Sequence, residues 1–167
     1  MKIYISASQI SAKVKEIASE INSEYKDKTP IFIGVLNGAF MFLSDLLREI
    51  SIDCEVDFLK LSSYGDMQIS SGDIKMLKEL NCQVKGRDII VVEDIIDSGL
   101  SIKYMKTLIE KENPKSLKIA ALLFKKEVSN LDFKIDYTGF EIDNKFVVGY
   151  GLDYAQKYRN LKDICVL

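Results

Sequence analysis

Short apolar runs that end in small polar turns alternate along this chain with amphipathic stretches. The runs 31–36, 88–92 and 117–124 are continuously apolar or rich in β-branched residues, which is typical of strands buried on both faces of a parallel sheet. The stretches after the first two runs repeat apolar residues every three or four positions, as helices packed on a sheet do. The alternation predicts an α/β fold with a mainly parallel central sheet.

Weaker patterns predict further elements towards both ends of the chain. Ser6 and Gln9 have the spacing of a capping box, and one apolar stripe follows them as far as Tyr25, so a helix is predicted there. Residues 1–5 are a strand or a lead-in. Short strands are also predicted at 54–61, near a sheet edge, and at 133–137, 145–148 and 161–167.

The turn at 97–101 has the chemistry of a phosphate site. It lies between the strand at 88–92 and a predicted helix, so its backbone amides are free at a helix start. Gly99 allows close approach of the chain, and Ser98 and Ser101 add hydroxyl donors. Ligands bind at this edge of open α/β sheets, and the turn is a candidate cradle for a phosphate monoester.

Three acids stand beside that turn. Glu93 and Asp94 would repel a phosphate, but carboxylates accept hydrogen bonds well from a vicinal diol such as that of ribose. The chain has no histidine, so a general base must be a carboxylate, Lys, Tyr or Cys, and Asp97 is the first candidate. A solvated acidic turn is the alternative for any short acidic segment, but it does not account for acids and a Ser-Gly-x-Ser turn set between strand and helix.

Composition narrows the class of protein. The 167 residues are 47% hydrophobic and 29% charged, as in a single soluble domain, and the net charge of −2 argues against a general nucleic-acid partner. The three cysteines, Cys54, Cys82 and Cys165, lack the spacing of a zinc site or disulfide set. No signal peptide, lipidation motif or membrane-spanning run is seen, so a reducing cytoplasm and no membrane partner are expected.

The segment 91–101, Val-Val-Glu-Asp-Ile-Ile-Asp-Ser-Gly-Leu-Ser, resembles the phosphoribosyl-pyrophosphate (PRPP) motif of type I phosphoribosyltransferases. Its Glu-Asp-Ile-Ile-Asp core is similar to the hypoxanthine-guanine branch. The resemblance implies one domain over 1–167, with three layers and a small hood made by the chain ends, mainly 132–167. It also implies that the ribose and 5-phosphate are bound by Glu93, Asp94, Ile95, Asp97, Ser98, Gly99, Leu100 and Ser101.

A second loop, at 34–39, is similar to the pyrophosphate loop of that family. Asn-Gly alone is an ordinary turn, but its place after a buried strand matches the family, where Leu36 and the next residue flank a cis peptide. The resemblance implies pyrophosphate contacts from Leu36, Asn37 and Gly38, and from Arg159. Many members carry Lys at the position of Asn37, so the backbone is expected to make this contact.

The resemblance also implies a purine site. Lys125 would donate to the exocyclic oxygen of a 6-oxopurine, and because an ammonium only donates, it would exclude adenine. Phe146 would stack on the base, and the Val147 backbone would read its edge. Asp153 would contact the purine site and Mg²⁺, with Glu93 and Asp94 as further metal contacts; Asp153 and Arg159 lack the spacing of a helical ion pair.

The segment 62–76 has no periodicity and contains two glycines and several serines, which predicts a mobile loop. Its Ser63 and Tyr64 are similar to the Ser-Tyr of the family's flexible lid, which shields the reaction from water.

The implied function is purine salvage, in which Mg²⁺ assists transfer of ribose 5-phosphate from PRPP to N9 of hypoxanthine or guanine. Alternatives are a phosphoribosyltransferase for xanthine, adenine or orotate, and a PRPP-sensing RNA-binding regulator with the same fold. The low basic content speaks against the regulator. The expected partners are PRPP and a 6-oxopurine, and the expected assembly is a homodimer or homotetramer.

Overall fold

The computed structural model describes residues 1–62 and 74–167, which form nine strands and three helices. In chain order these are β1 (Lys2–Ile5), α1 (Ala7–Glu24), β2 (Ile31–Leu36), α2 (Phe40–Glu49), β3 (Glu55–Leu61), β4 (Met76–Lys78), β5 (Asp88–Ile96), α3 (Leu100–Lys111), β6 (Ser116–Phe124), β7 (Tyr137–Glu141), β8 (Val147–Val148) and β9 (Ile164–Val166).

Six strands form the central sheet, in the order β4-β3-β2-β5-β6-β7. All neighbours run parallel except β4, which is antiparallel to β3 at one edge. Because β2, β5 and β6 are parallel and adjacent, their carboxyl ends meet at one edge of the sheet. The predicted α/β class with a mainly parallel sheet is confirmed.

Alternating side chains of the central strands feed two cores, one on each face of the sheet. The face covered by α1 and α2 takes Phe32, Ile90, Val92, Ala120 and Leu122. The face covered by α3 takes Ile31, Ile33, Ile89, Val91, Ile119 and Ala121. Helices on both faces make three layers and leave the carboxyl edge of the sheet as the open side.

A second, antiparallel sheet of three strands has the order β1-β9-β8 and is built from both ends of the chain. Cys165 pairs with Ile3 on one side and with Val148 on the other. Asp163, just before β9, accepts a hydrogen bond of 2.7 Å from the Ala7 amide at the start of α1. We call this sheet with the connecting segment 149–163 the hood.

The central strand is longer than its apolar run predicts. β5 continues to Ile96, so Glu93 and Asp94 lie within the strand and not in the loop after it. The partner strand explains the difference: β6 is also nine residues long, and it pairs with β5 through Glu93–Ala121 and on to Ile96–Phe124. Pairing of Glu93 and of the residues after Asp94 therefore keeps both acids within the extended strand.

Two other predictions of strand position were incomplete or wrong. The strand predicted at 133–137 is instead β7, which begins at Tyr137. The Asp136 carboxylate accepts from the Ile119 amide at 2.9 Å, and the Asp136 amide donates to the Ile119 carbonyl at 3.1 Å. Because a side chain takes part in this bonding, regular pairing with β6 begins only after Asp136. β4 begins at Met76, inside the segment predicted as loop. In the described part of the chain, no helix is long and apolar enough to cross a membrane.

Candidate active site

A cavity of about 340 Å³ opens at the carboxyl edge of the parallel sheet, beneath the hood. Its volume falls in the range of small-molecule sites. The residues that line it are Val35, Leu36, Asn37, Gly38, Leu61, Ser62, Glu93, Asp94, Ile95, Asp97, Ser101, Lys125, Phe146, Val147, Leu152, Asp153 and Arg159. Most of the residues predicted from separate motifs thus surround one space.

The two acids of β5 form the floor of this cavity. Glu93 is 7% exposed, and its Oε1 has no hydrogen-bond partner among the described residues. Burial, and then the neighbouring charge of Asp94, raise the pKa of Glu93 well above its usual value. Burial also raises the pKa of Asp94, to about 6, although the Ile95 amide donates to its Oδ1 at 2.8 Å. A buried acceptor without a donor is a place where a ligand hydroxyl or a cation would be stabilised.

The loop after β2 lies directly against Asp94. The peptide bond between Leu36 and Asn37 is cis, as the resemblance implies. A Cβ added to Gly38 would lie 1.8 Å from Asp94 Oδ2, so only glycine fits between the loop and the acid. Helix α2 begins next, and its N-cap residue Ala39 provides no side-chain hydrogen bond. Apart from the Phe40 amide, which donates to the Asn37 carbonyl at 3.2 Å, the first amides of α2 are therefore available to an anion.

The loop after β5 has the same arrangement at the start of α3. Gly99 is the N-cap with a φ of 89°, a conformation that favours glycine, and it provides no side-chain cap. The Leu100 amide makes only a long contact of 3.4 Å to Ser98 Oγ. Gly99 and Ser101 line an adjoining cavity of about 110 Å³, together with Glu93 and Asp97. The side chains of Ser98 and Leu100 line neither cavity.

Lys125 and Asp97 meet across the floor of the site. Lys125 is 6% exposed, and its Nζ lies 2.8 Å from Asp97 Oδ2 and 3.4 Å from Asn144 Oδ1. The Asp97 side chain is 54% exposed and faces the cavity beside the ammonium. A hydrogen-bond donor and an acceptor therefore stand side by side, as recognition of a carbonyl next to a ring N–H requires.

Phe146 and Val147 line the cavity on the side of the hood. The Phe146 ring is 55% exposed and meets Tyr154 edge to face, with the ring centroids 5.7 Å apart. Val147 is buried at the start of β8, where its backbone is fixed by pairing with Val166. An exposed aromatic face over a polar floor suits a flat heterocycle.

Asp153 and Arg159 form an ion pair, which the sequence reasoning did not predict. Arg159 Nη2 lies 2.9 Å from Asp153 Oδ1, within a turn and not on a helix. The same guanidinium donates from Nη1 to the Gly151 carbonyl at 2.7 Å. A Cβ on Gly151 would lie 2.1 Å from the Gly38 carbonyl, so the hood packs directly on the loop after β2. The Gly-x-Gly at 149–151 was the available sequence signal for this contact.

Ser63 and Tyr64, predicted as the lid, lie outside the described residues. Ser62 does lie at the cavity; its amide donates to the Lys75 carbonyl at 2.7 Å, and its Oγ accepts from the Lys75 amide at 2.9 Å. A larger cavity of about 590 Å³ lies between the 79–85 segment and α3. Its lining is mainly alkyl groups and surface charges, so we place the chemistry at the smaller cavity.

The fold and the clustered site define a class of protein that comparison identifies. Residues 5–155 match the family model described as "Phosphoribosyl transferase domain". This chain belongs to the phosphoribosyltransferase family.

The chain is also similar to individual proteins within the family. The chain is 49% identical, over 166 residues, to a Bacillus subtilis protein named hypoxanthine-guanine phosphoribosyltransferase, with coverage of 99% of this chain and 92% of the relative. A Lactococcus lactis protein of the same name is 43% identical, with coverage of 99% and 90%. The crystal structure of a hypoxanthine-guanine phosphoribosyltransferase from Bacillus anthracis has a TM-score of 0.95 and 41% identity, with coverage of 100% of this chain and 98% of that one.

Proposed function

We propose that this chain transfers the 5-phosphoribosyl group of PRPP to N9 of hypoxanthine or guanine, forming IMP or GMP and releasing pyrophosphate. The new bond joins N9 to the ribose C1, and the bond that breaks joins C1 to the pyrophosphate oxygen. The observation that carries the proposal is the Lys125–Asp97 pair, which faces the same cavity as two uncapped helix starts and the two acids of β5.

The ribose and its phosphate are assigned to β5 and the loop after it. Glu93 and Asp94 accept hydrogen bonds from the ribose hydroxyls, which provides Glu93 Oε1 with its missing partner. The backbone from Ile95 to Leu100, with the hydroxyl of Ser101, binds the 5-phosphate at the open start of α3. Pyrophosphate lies against the loop from Leu36 to Gly38, beside Arg159.

The purine is assigned to the hood side of the cavity. Lys125 donates to the 6-oxo group, while Asp97, 2.8 Å from its ammonium, accepts the proton that leaves the ring at N7. Phe146 stacks on the base, and the Val147 backbone reads its edge with Asp153 nearby. An exocyclic amine in place of the 6-oxo group would meet a donor, which disfavours adenine.

The acids at this cavity fit a magnesium ion. Among the described residues, no three His, Cys, Asp or Glu side chains form a metal cluster. Mg²⁺ usually takes one or two carboxylates and completes its shell with water and substrate phosphates, and the adjacent acids of β5 could provide such a pair. Glu93 and Asp94 would hold it directly. Asp153 already accepts from Arg159 and the Gln156 amide, so it would act through the water shell. When bound, the ion neutralises charge that develops on the leaving pyrophosphate.

Assembly and compartment complete the proposal. A homodimer or homotetramer is expected from the family resemblance, and the exposed Val56 and Leu77 near one edge of the sheet are consistent with a subunit contact. All three cysteines are unpaired, which suits a reducing cytoplasm.

The first experiment measures pyrophosphate release from PRPP and Mg²⁺ with hypoxanthine, guanine, xanthine and adenine supplied separately. Turnover with hypoxanthine or guanine and none with adenine supports the proposal. Turnover with xanthine alone would show that the enzyme is specific for xanthine. No turnover with any purine rejects the enzyme function, and salt-sensitive RNA binding by the same sample would then favour the regulator.

Asp97→Asn tests the base assignment in the same assay. The substitution keeps the size of the side chain but removes the proton acceptor, and general-base catalysis contributes about 100-fold or more. Asp132→Asn is a matched control, because Asp132 is exposed and lies outside the cavity. Equal activity of the two variants would overturn the role given to Asp97.

A further inference from the structure

The segment 125–131, which follows β6, runs beside the end of β5 and the loop after it, and it forms hydrogen bonds to three successive residues there. The Lys125 amide donates to the Ile96 carbonyl at 3.0 Å, and the Asn130 amide donates to the Ser98 carbonyl at 3.1 Å. Between these two contacts, the Ser129 hydroxyl donates to the Asp97 carbonyl. Three consecutive carbonyls, from the last residue of β5 into the loop, thus accept hydrogen bonds from one neighbouring segment.

Side-chain packing continues the same contact. A Cβ added to Gly99 would lie 2.6 Å from Leu131 Cδ2, so the glycine is covered by the same segment. The segment is itself a compact turn, in which the Ser129 amide donates to the Lys125 carbonyl at 3.0 Å. Its position relative to Lys125 is therefore fixed by its own hydrogen bond.

These contacts set the direction of the loop amides. In a trans peptide unit, the carbonyl and the following N–H point in opposite directions. With the carbonyls of Asp97 and Ser98 turned to the segment, the amides of Ser98 and Gly99 point away from it. Within the described chain, neither amide donates to a protein acceptor. Both are left as donors at the loop whose Asp97, Gly99 and Ser101 line the adjoining cavity.

We propose that Ser129 is a positioning residue for 5-phosphate binding, because its bond to the Asp97 carbonyl aims the Ser98 amide at the phosphate. The inference deepens the proposed function and rests on it. Since Lys125 belongs to the same turn, one segment sets both the ammonium assigned to the purine and the amides assigned to the phosphate. Pyrophosphate, assigned to the opposite side of the cavity, does not depend on this segment.

Ser129→Ala tests the proposal by titration with two ligands. Loss of the hydroxyl is expected to weaken binding of inosine 5′-monophosphate about three- to tenfold, the range for one hydrogen bond. Binding of pyrophosphate with Mg²⁺ is expected to stay unchanged. Ser129→Thr keeps the donor and should restore nucleotide affinity to within about twofold. Val128→Ala, an exposed side chain in the same turn, should change neither affinity.

The outcomes separate this inference from the function itself. Unchanged nucleotide affinity in Ser129→Ala would overturn it, as would an equal loss for nucleotide and pyrophosphate, which indicates general damage to the site. Failure of the Thr variant to restore affinity would also overturn it, because the hydroxyl is the group invoked. If the unsubstituted protein binds no inosine 5′-monophosphate, it is the proposed function that fails.

Discussion

The N-terminus of α1 and those of α2 and α3 are built in opposite ways. Ser6 closes α1 with a full capping box, in which its Oγ accepts from the Gln9 amide and its own amide donates to Gln9 Oε1 at 2.9 Å. Ala39 and Gly99 begin α2 and α3 without a side-chain cap. The capped helix start lies beside the hood, and the two open ones lie at the cavity. Amides are satisfied internally where the fold needs support and left open where an anion is expected.

Buried acids show the same contrast. Asp57 on β3 accepts hydrogen bonds from the amides of Phe58, Asn81 and Cys82 at 2.7–2.8 Å. Burial opposes its ionisation, but these donors outweigh burial and lower the pKa of Asp57. Glu93 is equally buried but has one oxygen without a partner in the described structure, and its pKa is raised. The scaffold acid stabilises the fold, whereas the cavity acid is held there at a cost to stability.

The largest effect is expected from adding a side chain to the glycine of the loop after β2. In Gly38→Ala, the new methyl would lie 1.8 Å from Asp94 Oδ2 and 2.6 Å from Asp94 Cγ, so the loop and the acid must separate. We expect kcat/KM for pyrophosphate release to fall about 100-fold or more, which corresponds to about 2.7 kcal/mol of lost transition-state stabilisation.

Gly86→Ala is the matched control for that substitution. Unlike Gly38, Gly86 has a positive φ, 73°, but its Cβ would meet open space. It should lose about 1 kcal/mol of stability and no activity. Near-normal activity of Gly38→Ala would show that the contact between the loop and Asp94 is not needed.

Removing the charge of Asp57 should weaken the fold. Asp57→Asn replaces one acceptor of backbone amides with a donor, and we expect the free energy of unfolding to fall by about 2 kcal/mol at pH 7 in urea. Because its folded pKa is lowered, the wild-type carboxylate contributes stability above its unfolded pKa of about 4 and loses it as pH falls through the folded value. The difference between the two proteins should shrink at acid pH. Exposed Asp53→Asn should change little, and an equal loss there would remove the distinction.

Glu93→Gln should raise the free energy of unfolding, whereas Asp57→Asn should lower it. The raised pKa means that folding takes up a proton, so wild-type stability falls as pH rises above the unfolded value of about 4.5. The uncharged variant lacks this slope, and we expect it to be about 1–2 kcal/mol more stable at pH 7 and equal near pH 4. Urea unfolding between pH 4 and 8 measures this. Affinity for PRPP should fall in the same variant. A variant less stable than wild type at neutral pH would contradict the assignment of Glu93 as a strained cavity acid; Glu127→Gln, on the surface, is the control.

Local signals in the sequence predicted most of this architecture. The capping box at Ser6, the apolar run of β2 and the turn at 97–101 all depend on neighbours within a few residues, and the structure has each of them. The motif residues that follow parallel strands were also expected to share one edge, and one cavity contains most of them.

Features that depend on distant parts of the chain could not be predicted in this way. The length of β5 is set by pairing with β6, and the start of β7 by the bonds of Asp136 to Ile119. The Arg159–Asp153 ion pair follows from the tight turns of the hood, which helical spacing does not describe. Ser129 carries no motif of its own; its relation to Asp97 exists only because two loops end at the same edge of the sheet.

Removing the N-cap of α1 should have the smallest effect. Ser6→Ala removes the acceptor of the Gln9 amide, and such losses typically cost about 1 kcal/mol. Activity should not change, because the start of α1 bonds to Asp163 in the hood and lies outside the cavity. Urea unfolding and kcat/KM measure the two sides, and Ser11→Ala, exposed inside the same helix, should stabilise slightly through helix propensity. A Ser6→Ala protein that kept its stability but lost activity would show that the capped start of α1 also serves the site. The contrast between a capped helix start that supports the fold and uncapped helix starts at the cavity would then be wrong.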